Sequence, residues 1–276
     1  MGDPARGGAR AALITAAGRF GFSETPRLDA ELLLAHALGI SREQLLLTLA
    51  DQPVPAVFSD LVARRARHEP IAYITGTRAF WTIDLDVAPG VLIPRPDSET
   101  LIEAAVDHFG AGGGPRTVLD LGTGSGALLL AALDQWPEAT GVGIDASRQA
   151  IEIAQRNADR IAPGRADIRL GGWAGTGAAF DLILSNPPYV ATVEAVPEEV
   201  ALYEPAGALY AGGDGLDDYR AIAPLLKQQI APGGVACVEI GAAQAGSAGA
   251  LFIAAGLQVT VSRDLAGRDR CLVITP

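Results

Sequence analysis

The stretch Val118-Leu119-Asp120-Leu121-Gly122-Thr123-Gly124-Ser125-Gly126, running on into Ala127 to Leu133, decides the fold. An apolar run that reaches alternating glycines and passes straight into an Ala/Leu segment reads as strand, tight turn, helix. Glycines in such a turn permit sharp bending and let a ligand approach the main chain at the carboxyl end of the strand. The spacing is GxGxG and not the GxGxxG of dinucleotide binders, and no Lys follows as a phosphate loop demands. A diphosphate is therefore not the expected guest.

Working outward from that turn, short apolar runs alternate with helical stretches. They lie at Thr117 to Leu121, Gly141 to Ile144, Ile168 to Leu170, Asp181 to Ser185, Val235 to Ile240, Leu257 to Val261 and Cys271 to Thr275. Strands separated by helices predict an α/β, Rossmann-like sheet, mainly parallel and covered on both faces. Only Asp264 to Arg270 joins the last two strands, too short for a helical crossover, so they pair as a C-terminal antiparallel hairpin.

Upstream the period changes. Ala9 to His68 is helical, with Leu28, Glu31, Leu32, Ala35 and Leu38 on one face, Gly39 as a stop, Asp29 and Ser41 near helix starts, and Pro53 and Pro55 as breaks. Arg64, Arg65, Arg67 and His68 read as the solvated end of a helix whose cations suit the local dipole. Between Ile71 and Ile93 the alternation of Phe80-Trp81-Thr82-Ile83-Asp84-Leu85-Asp86-Val87 predicts a hairpin. Pro94 and Pro96 hold off regular structure until Asp97, read as the N-cap of a helix carrying Leu101, Ile102, Ala105, Val106 and Phe109. The expected organisation is a small helical domain over 1–75, a β-hairpin linker over 76–95 and the sheet domain over 96–276.

Composition limits the function. The chain of 276 residues is 49% apolar and 19% charged, the balance of a folding globular protein. A net charge of -11 disfavours tight sequence-independent binding to nucleic acid, and a protein partner fits better. Cys237 and Cys271 each sit in an apolar strand without CxxC spacing and read as buried, reduced core residues. His36, His68 and His108 are scattered, so no metal site is expected. No apolar stretch reaches membrane-spanning length, and the start Met-Gly-Asp-Pro-Ala-Arg lacks the apolar region of a signal peptide; a cytoplasmic protein with no membrane association is expected. Oligomeric state is not readable.

The candidate site gathers at the carboxyl ends of the strands. Asp145 ends the second strand, where a carboxylate can accept both ribose hydroxyls of an adenosine, and Trp173 follows the third strand, where a flat indole can pack against a purine. Asn186-Pro187-Pro188-Tyr189 follows the strand Leu182-Ile183-Leu184. Each residue before a proline is pushed to extended geometry, and neither proline has an N–H, so the rim is stiff and rich in acceptors. An Asn oxygen and a proline carbonyl can jointly accept the two N–H groups of a planar NH2, with Tyr189 packed near its face. That pattern suits an amide or exocyclic amine oriented toward the electrophilic methyl of a sulfonium.

With these segments in view, the chain resembles the HemK/PrmC family, the release-factor glutamine N5-methyltransferases, over almost its whole length. The most specific matches are Glu69 to Gly76, Phe80-Trp81, Leu92-Ile93-Pro94-Arg95-Pro96-Asp97-Ser98-Glu99, Asp120 to Gly126, Asn186 to Tyr189, Tyr203-Glu204-Pro205 with Ala208-Leu209, and Arg263 to Arg270. The resemblance implies a class I S-adenosyl-L-methionine-dependent sheet and a peptide chain release factor as protein substrate, recognised partly through residues 1 to about 75. It also implies Gly122, Thr123, Gly124, Ser125, Gly126, Asp145, Trp173 and Asn186 around the cofactor. Asn186, Pro187, Pro188 and Tyr189 would hold the glutamine, with Asn186, Pro187 and Tyr189 catalytic. Arg95 and Glu99 stand either at the pocket entrance or as support for the helix start. The family usually carries an acidic residue just before the aromatic after the third strand, where this chain has Gly172. Competing readings are a glutamine methyltransferase acting on a ribosomal protein, an adenine-N6 nucleic-acid methyltransferase, and a module that only binds adenosylmethionine.

Overall fold

The computed structural model describes residues 8–110 and 112–276, so the amino-terminal hexapeptide read above lies outside the described residues. The chain divides into two compact units: the part up to Gly76 together with Val196–Tyr203, and Thr77–Ala195 together with Glu204–Pro276.

The first unit contains α1 (Gly8–Ala17), α2 (Pro26–Leu38), α3 (Arg42–Thr48), α4 (Val57–Arg65) and the short α5 (Ile71–Thr75). Gly39 ends α2 at φ 68°, and the Ser41 side chain caps α3 by accepting from Gln44 N, as read from the sequence. The buried face of α2 overlaps the expected one only at Glu31 and Ala35. Ala30, Leu33 and Leu34 are fully buried against Leu13, Phe20, Leu45 and Phe58, whereas Leu28, Leu32 and Leu38 are only half-buried. The helix is leucine-rich on both sides, so spacing alone did not select the stripe.

Ile71–Thr75, assigned to the hairpin region, is helical because Pro70 opens it and Gly76 closes it at φ 78°. Val196–Tyr203, placed in the sheet domain from sequence, belongs with the helical unit and carries the short α9 (Glu198–Tyr203). Arg65 explains why: its buried guanidinium holds Asp29 at 2.8 Å and Glu199 at 2.7 Å, and the Tyr203 hydroxyl donates to Arg67 O at 2.8 Å. Arg65 is therefore not part of a solvated helix end.

The second unit opens with an antiparallel hairpin, β1 (Thr77–Phe80) and β2 (Ile83–Asp86). It is packed into this unit and not free as a linker. Phe80 and Leu85 are buried with Leu101 and Leu129, and Asn157 bridges Asp86 O and Ser125 O, each at 2.9 Å. Then follow α6 (Glu99–Phe109), β3 (Thr117–Leu121), α7 (Ala127–Gln135), β4 (Thr140–Asp145), α8 (Arg148–Ile161), β5 (Ala166–Leu170), β6 (Phe180–Ser185), α10 (Asp217–Gln229), β7 (Ile230–Glu239), α11 (Ala245–Ala254), β8 (Gln258–Arg263) and β9 (Asp269–Thr275). Asp97 does not cap α6. A 3-10 turn over Pro96–Ser98 precedes the helix, no side chain caps it, and the Asp97 carboxylate instead pairs with Arg270 at 3.0 Å.

The seven-stranded sheet has the order β5-β4-β3-β6-β7-β9-β8, parallel up to β7 and closed by the antiparallel β9 and β8. Alternate side chains of the central strands feed two cores. Val118, Leu182, Leu184, Val235 and Cys237 face α6 and α7, while Leu119, Leu121, Ile183, Ala236 and Val238 face α10 and α11. Both cysteines are buried and free. Strand order reverses between β3 and β6, the place where a sheet of this kind opens a crevice at its carboxyl edge.

Candidate active site

Register places the expected site residues side by side. Leu121 pairs with Ile144 on one flank and Ser185 on the other, so the turn after β3 starts between Asp145 and Asn186. Gly122, Gly124 and Gly126 take φ of 75°, 57° and 87°, left-handed values that strain any residue bearing a Cβ. Gly122 N and Thr123 N both donate to Ile144 O at 2.9 Å, and the Ser185 hydroxyl donates to Leu121 O at 2.8 Å. The Asp145 carboxylate accepts from Gly124 N at 2.9 Å and from Ser147 N at 2.8 Å. Beneath the turn, Asp120 Oδ2 accepts from Thr123 Oγ1 at 2.6 Å and Leu129 N at 3.2 Å, while Oδ1 is buried without a partner. Burial pushes the Asp120 carboxyl up to about 7, against the pull of those two hydrogen bonds.

These elements surround a cavity of about 580 Å³, within the range of small-molecule sites. Gly122, Thr123, Gly124, Ser125, Asp145, Trp173, Asn186 and Pro188 all line it. Gly126, Pro187 and Tyr189 do not: Gly126 precedes α7, and Tyr189, expected beside the amide face, directs its hydroxyl to Glu239 Oε1 at 3.2 Å. Burial pushes the Tyr189 phenol up, so it remains a protonated donor at neutral pH. The Trp173 indole N–H donates to Asp218 Oδ1 at 3.0 Å, and a Cβ on Gly122 would lie 3.2 Å from the indole ring, so the glycine makes room beside a flat wall.

Asn186 Nδ2 donates to Ser98 Oγ at 3.1 Å, which leaves Oδ1 as the acceptor presented by this side chain. Arg95 lines the cavity and is paired with the buried Glu204 at 2.5 Å; Glu99 does not line it and accepts from Trp81 N at 2.8 Å, a support for the hairpin. Ser98, Asp218 and Glu239 were missed from sequence. A visible signal existed for the last, a lone carboxylate within the apolar run Val235 to Ile240. Among the described residues no group of three or more His, Cys, Asp or Glu is placed to hold a metal, and no single helix is long and apolar enough to cross a membrane.

The glycine turn, the Asp145 carboxylate and the Trp173 indole line one cavity at the switch point of a doubly wound sheet, and the chain's match to a methyltransferase domain defines the class: an S-adenosylmethionine-dependent methyltransferase. Residues 11–76 match the PrmC N-terminal domain and residues 97–213 the methyltransferase small domain. The release factor glutamine methyltransferase of Rhodospirillum rubrum is 43% identical over 91% of this chain and 79% of its own length. That of Cereibacter sphaeroides is 45% identical over 91% of each. The chain belongs to the family of release factor glutamine methyltransferases. In fold it is also similar to the hMettl16 catalytic domain solved in complex with the MAT2A 3'UTR hairpin 6, with a TM-score of 0.56 at 15% identity over 78% of this chain and 81% of that one.

Proposed function

We propose that the protein transfers a methyl group from S-adenosylmethionine to the side-chain amide nitrogen of the glutamine in the Gly-Gly-Gln motif of peptide chain release factors. The cofactor supplies an electrophilic methyl on a sulfonium; the chain's task is to bring a weak nucleophile to it. An amide nitrogen reacts poorly because its lone pair is delocalised into the carbonyl. In this reading Asn186 Oδ1, on the cavity wall, accepts one of its N–H bonds, the Pro187 carbonyl, set back from the cavity lining, accepts the other once the glutamine is bound, and the nitrogen faces the cavity. Those bonds strengthen as positive charge develops on nitrogen, so they favour the transition state over the bound substrate. Gly122 to Gly126, Asp145 and Trp173 hold the nucleoside. Pro188 closes the cavity beside Asn186, and Tyr189 anchors the tetrapeptide from behind.

The observation that carries the reading is the arrangement of Asn186: it lines the same cavity as the glycine turn and Asp145, with its nitrogen tied back to Ser98. The match of residues 11–76 to the PrmC N-terminal domain favours a release factor over a ribosomal protein. The net charge of -11 argues against a nucleic-acid substrate. The part up to Gly76 together with Val196–Tyr203 then serves as the factor-recognising unit, and Thr77–Ala195 together with Glu204–Pro276, the hairpin included, as the catalytic unit of a cytoplasmic enzyme. Labelled cofactor incubated with a release factor should mark the Gly-Gly-Gln glutamine and leave a Gln→Ala factor unlabelled; equal labelling of both refutes the assignment.

A further inference from the structure

Sheet order fixes how an adenosine lies in the cavity. Asn186 stands just past β6, the glycine turn past β3, Asp145 at the end of β4, and Trp173 past the edge strand β5. Gly171 N donates to Asp145 O at 2.9 Å, which sets Gly171-Gly172-Trp173 directly beyond the residue assigned to the ribose. A nucleoside with its methyl near Asn186 and its sugar on Asp145 therefore carries its base to the Trp173 end, and the groups at that end have to read it.

Gly171 and Gly172 line the cavity there without side chains, and a Cβ on Gly172 would meet nothing within 4 Å. The charged side chains on the cavity wall are Arg95, Asp145 and Asp218. Arg95 is paired with Glu204, and Asp145 serves the ribose. Asp218, in the first turn of α10, remains for the base. Its Oδ1 accepts from the Trp173 indole N–H at 3.0 Å, and because an indole nitrogen can only donate, this contact fixes the carboxyl oxygen as an acceptor at the edge of the flat wall. One indole donor leaves the second oxygen its acceptor capacity. Partial burial pushes the Asp218 carboxyl up, a desolvation that a second donor offsets, while the start of α10 favours the anion.

The 6-amino group of adenine is a donor, its lone pair being delocalised into the ring. We propose that Asp218 determines specificity for the cofactor's base: its second oxygen accepts from the adenine 6-amino group of S-adenosylmethionine while Trp173, held by the first, packs beside the ring. A base with a 6-oxo group turns an acceptor toward the carboxylate and is disfavoured. The inference rests on the placing of the nucleoside against Asp145 and Trp173 proposed above. If Asp218 only propped the indole, its loss would weaken every nucleoside alike; as a reader of the amine it changes their ranking.

The test is titration calorimetry on the full chain with two probes, S-adenosylhomocysteine and its deaminated counterpart S-inosylhomocysteine. No protein substrate is present, so the release-factor assignment does not enter. Wild type should bind the adenosyl compound at least about tenfold more tightly, the scale of one hydrogen bond to a charged group at a half-open site. Asp218→Ala should bring the two affinities within about threefold by weakening the adenosyl compound. Asp218→Asn keeps an oxygen for the Trp173 N–H and turns an NH2 toward the base, so it should reverse the preference in favour of the inosyl compound. Equal affinity of wild type for both probes, an unchanged ratio in Asp218→Asn, or a loss by the same factor for both probes in Asp218→Ala overturns the assignment. Should Asp218→Ala fail to fold, Asp218→Asn carries the test. A wild type that binds neither probe refutes the cofactor site itself, whereas binding without preference refutes only this inference.

Discussion

Replacing Asp145 by Ala tests the cofactor site at the point where structure and chemistry meet most directly. Its oxygens accept Gly124 N at 2.9 Å and Ser147 N at 2.8 Å, each oxygen keeps further acceptor capacity, and the residue lines the cavity. Two ribose hydroxyls donating to those oxygens are worth about 1.5–3 kcal/mol each, as hydrogen bonds to a charged group. Asp145 is half-buried, and solvent reaching the rim argues for the lower end, about 3 kcal/mol in all, or roughly a hundredfold in Kd. The turn itself should survive, because Gly122 N and Thr123 N remain bonded to Ile144 O. Titration calorimetry of S-adenosylmethionine into the purified variant measures the loss, with the thermal midpoint as control. Asp145→Asn, which keeps one acceptor oxygen, should fall between wild type and Ala. An affinity within threefold of wild type in Asp145→Ala sinks the reasoning.

Asn186→Ala should cut kcat on the order of a hundredfold while sparing the cofactor Kd, since a preorganised transition-state acceptor is lost; steady-state kinetics with a release factor would expose a near-normal rate and end its assigned role. Asp120 is pushed up to about 7, so the folded state favours its neutral form: that contribution is complete below the ordinary carboxylate range near 4 and disappears as pH rises through about 7. Asp120→Asn should therefore flatten the decline of stability between pH 5 and 8, by at most about 3 kcal/mol, the two units from pH 5 to about 7 at roughly 1.4 each; a decline as steep as in wild type contradicts the buried-acid account. Arg65→Ala leaves Asp29, 5% exposed, without its cation and should destabilise the chain by about 3–5 kcal/mol in urea titrations. An unchanged midpoint there would mean that the pair contributes nothing.

The centre of the sheet was legible because β3, β6 and β7 are mostly buried and run into Gly122, Asn186-Pro187 and Ile240-Gly241, so apolar run length and punctuation mark them without any tertiary information. Asp145, Trp173 and Asn186 could be placed at one edge because a parallel sheet brings the carboxyl ends of its strands together. What stayed hidden depends on register or on competing partners. Asp97 has the chemistry of an N-cap, yet Arg270, far along the chain, claims its carboxylate. Tyr189 looks like a substrate contact in isolation, but the strand that places Glu239 behind it draws its hydroxyl inward. The solvated appearance of the Arg64 to His68 run hid an arginine whose two carboxylate partners come from separate stretches of sequence.

The polypeptide passes between its two units at Gly76–Thr77, again at Ala195–Val196 and once more at Tyr203–Glu204. A truncation after Gly76 therefore strips the helical portion of Glu199, one of the two carboxylates on its buried Arg65 guanidinium, and leaves the remainder with a severed excursion just downstream of the reacting tetrapeptide. Exchange of recognition modules between relatives has to move residues 196–203 along with the amino-terminal helices. Inheritance of specificity by simple fusion at one seam is closed to this architecture.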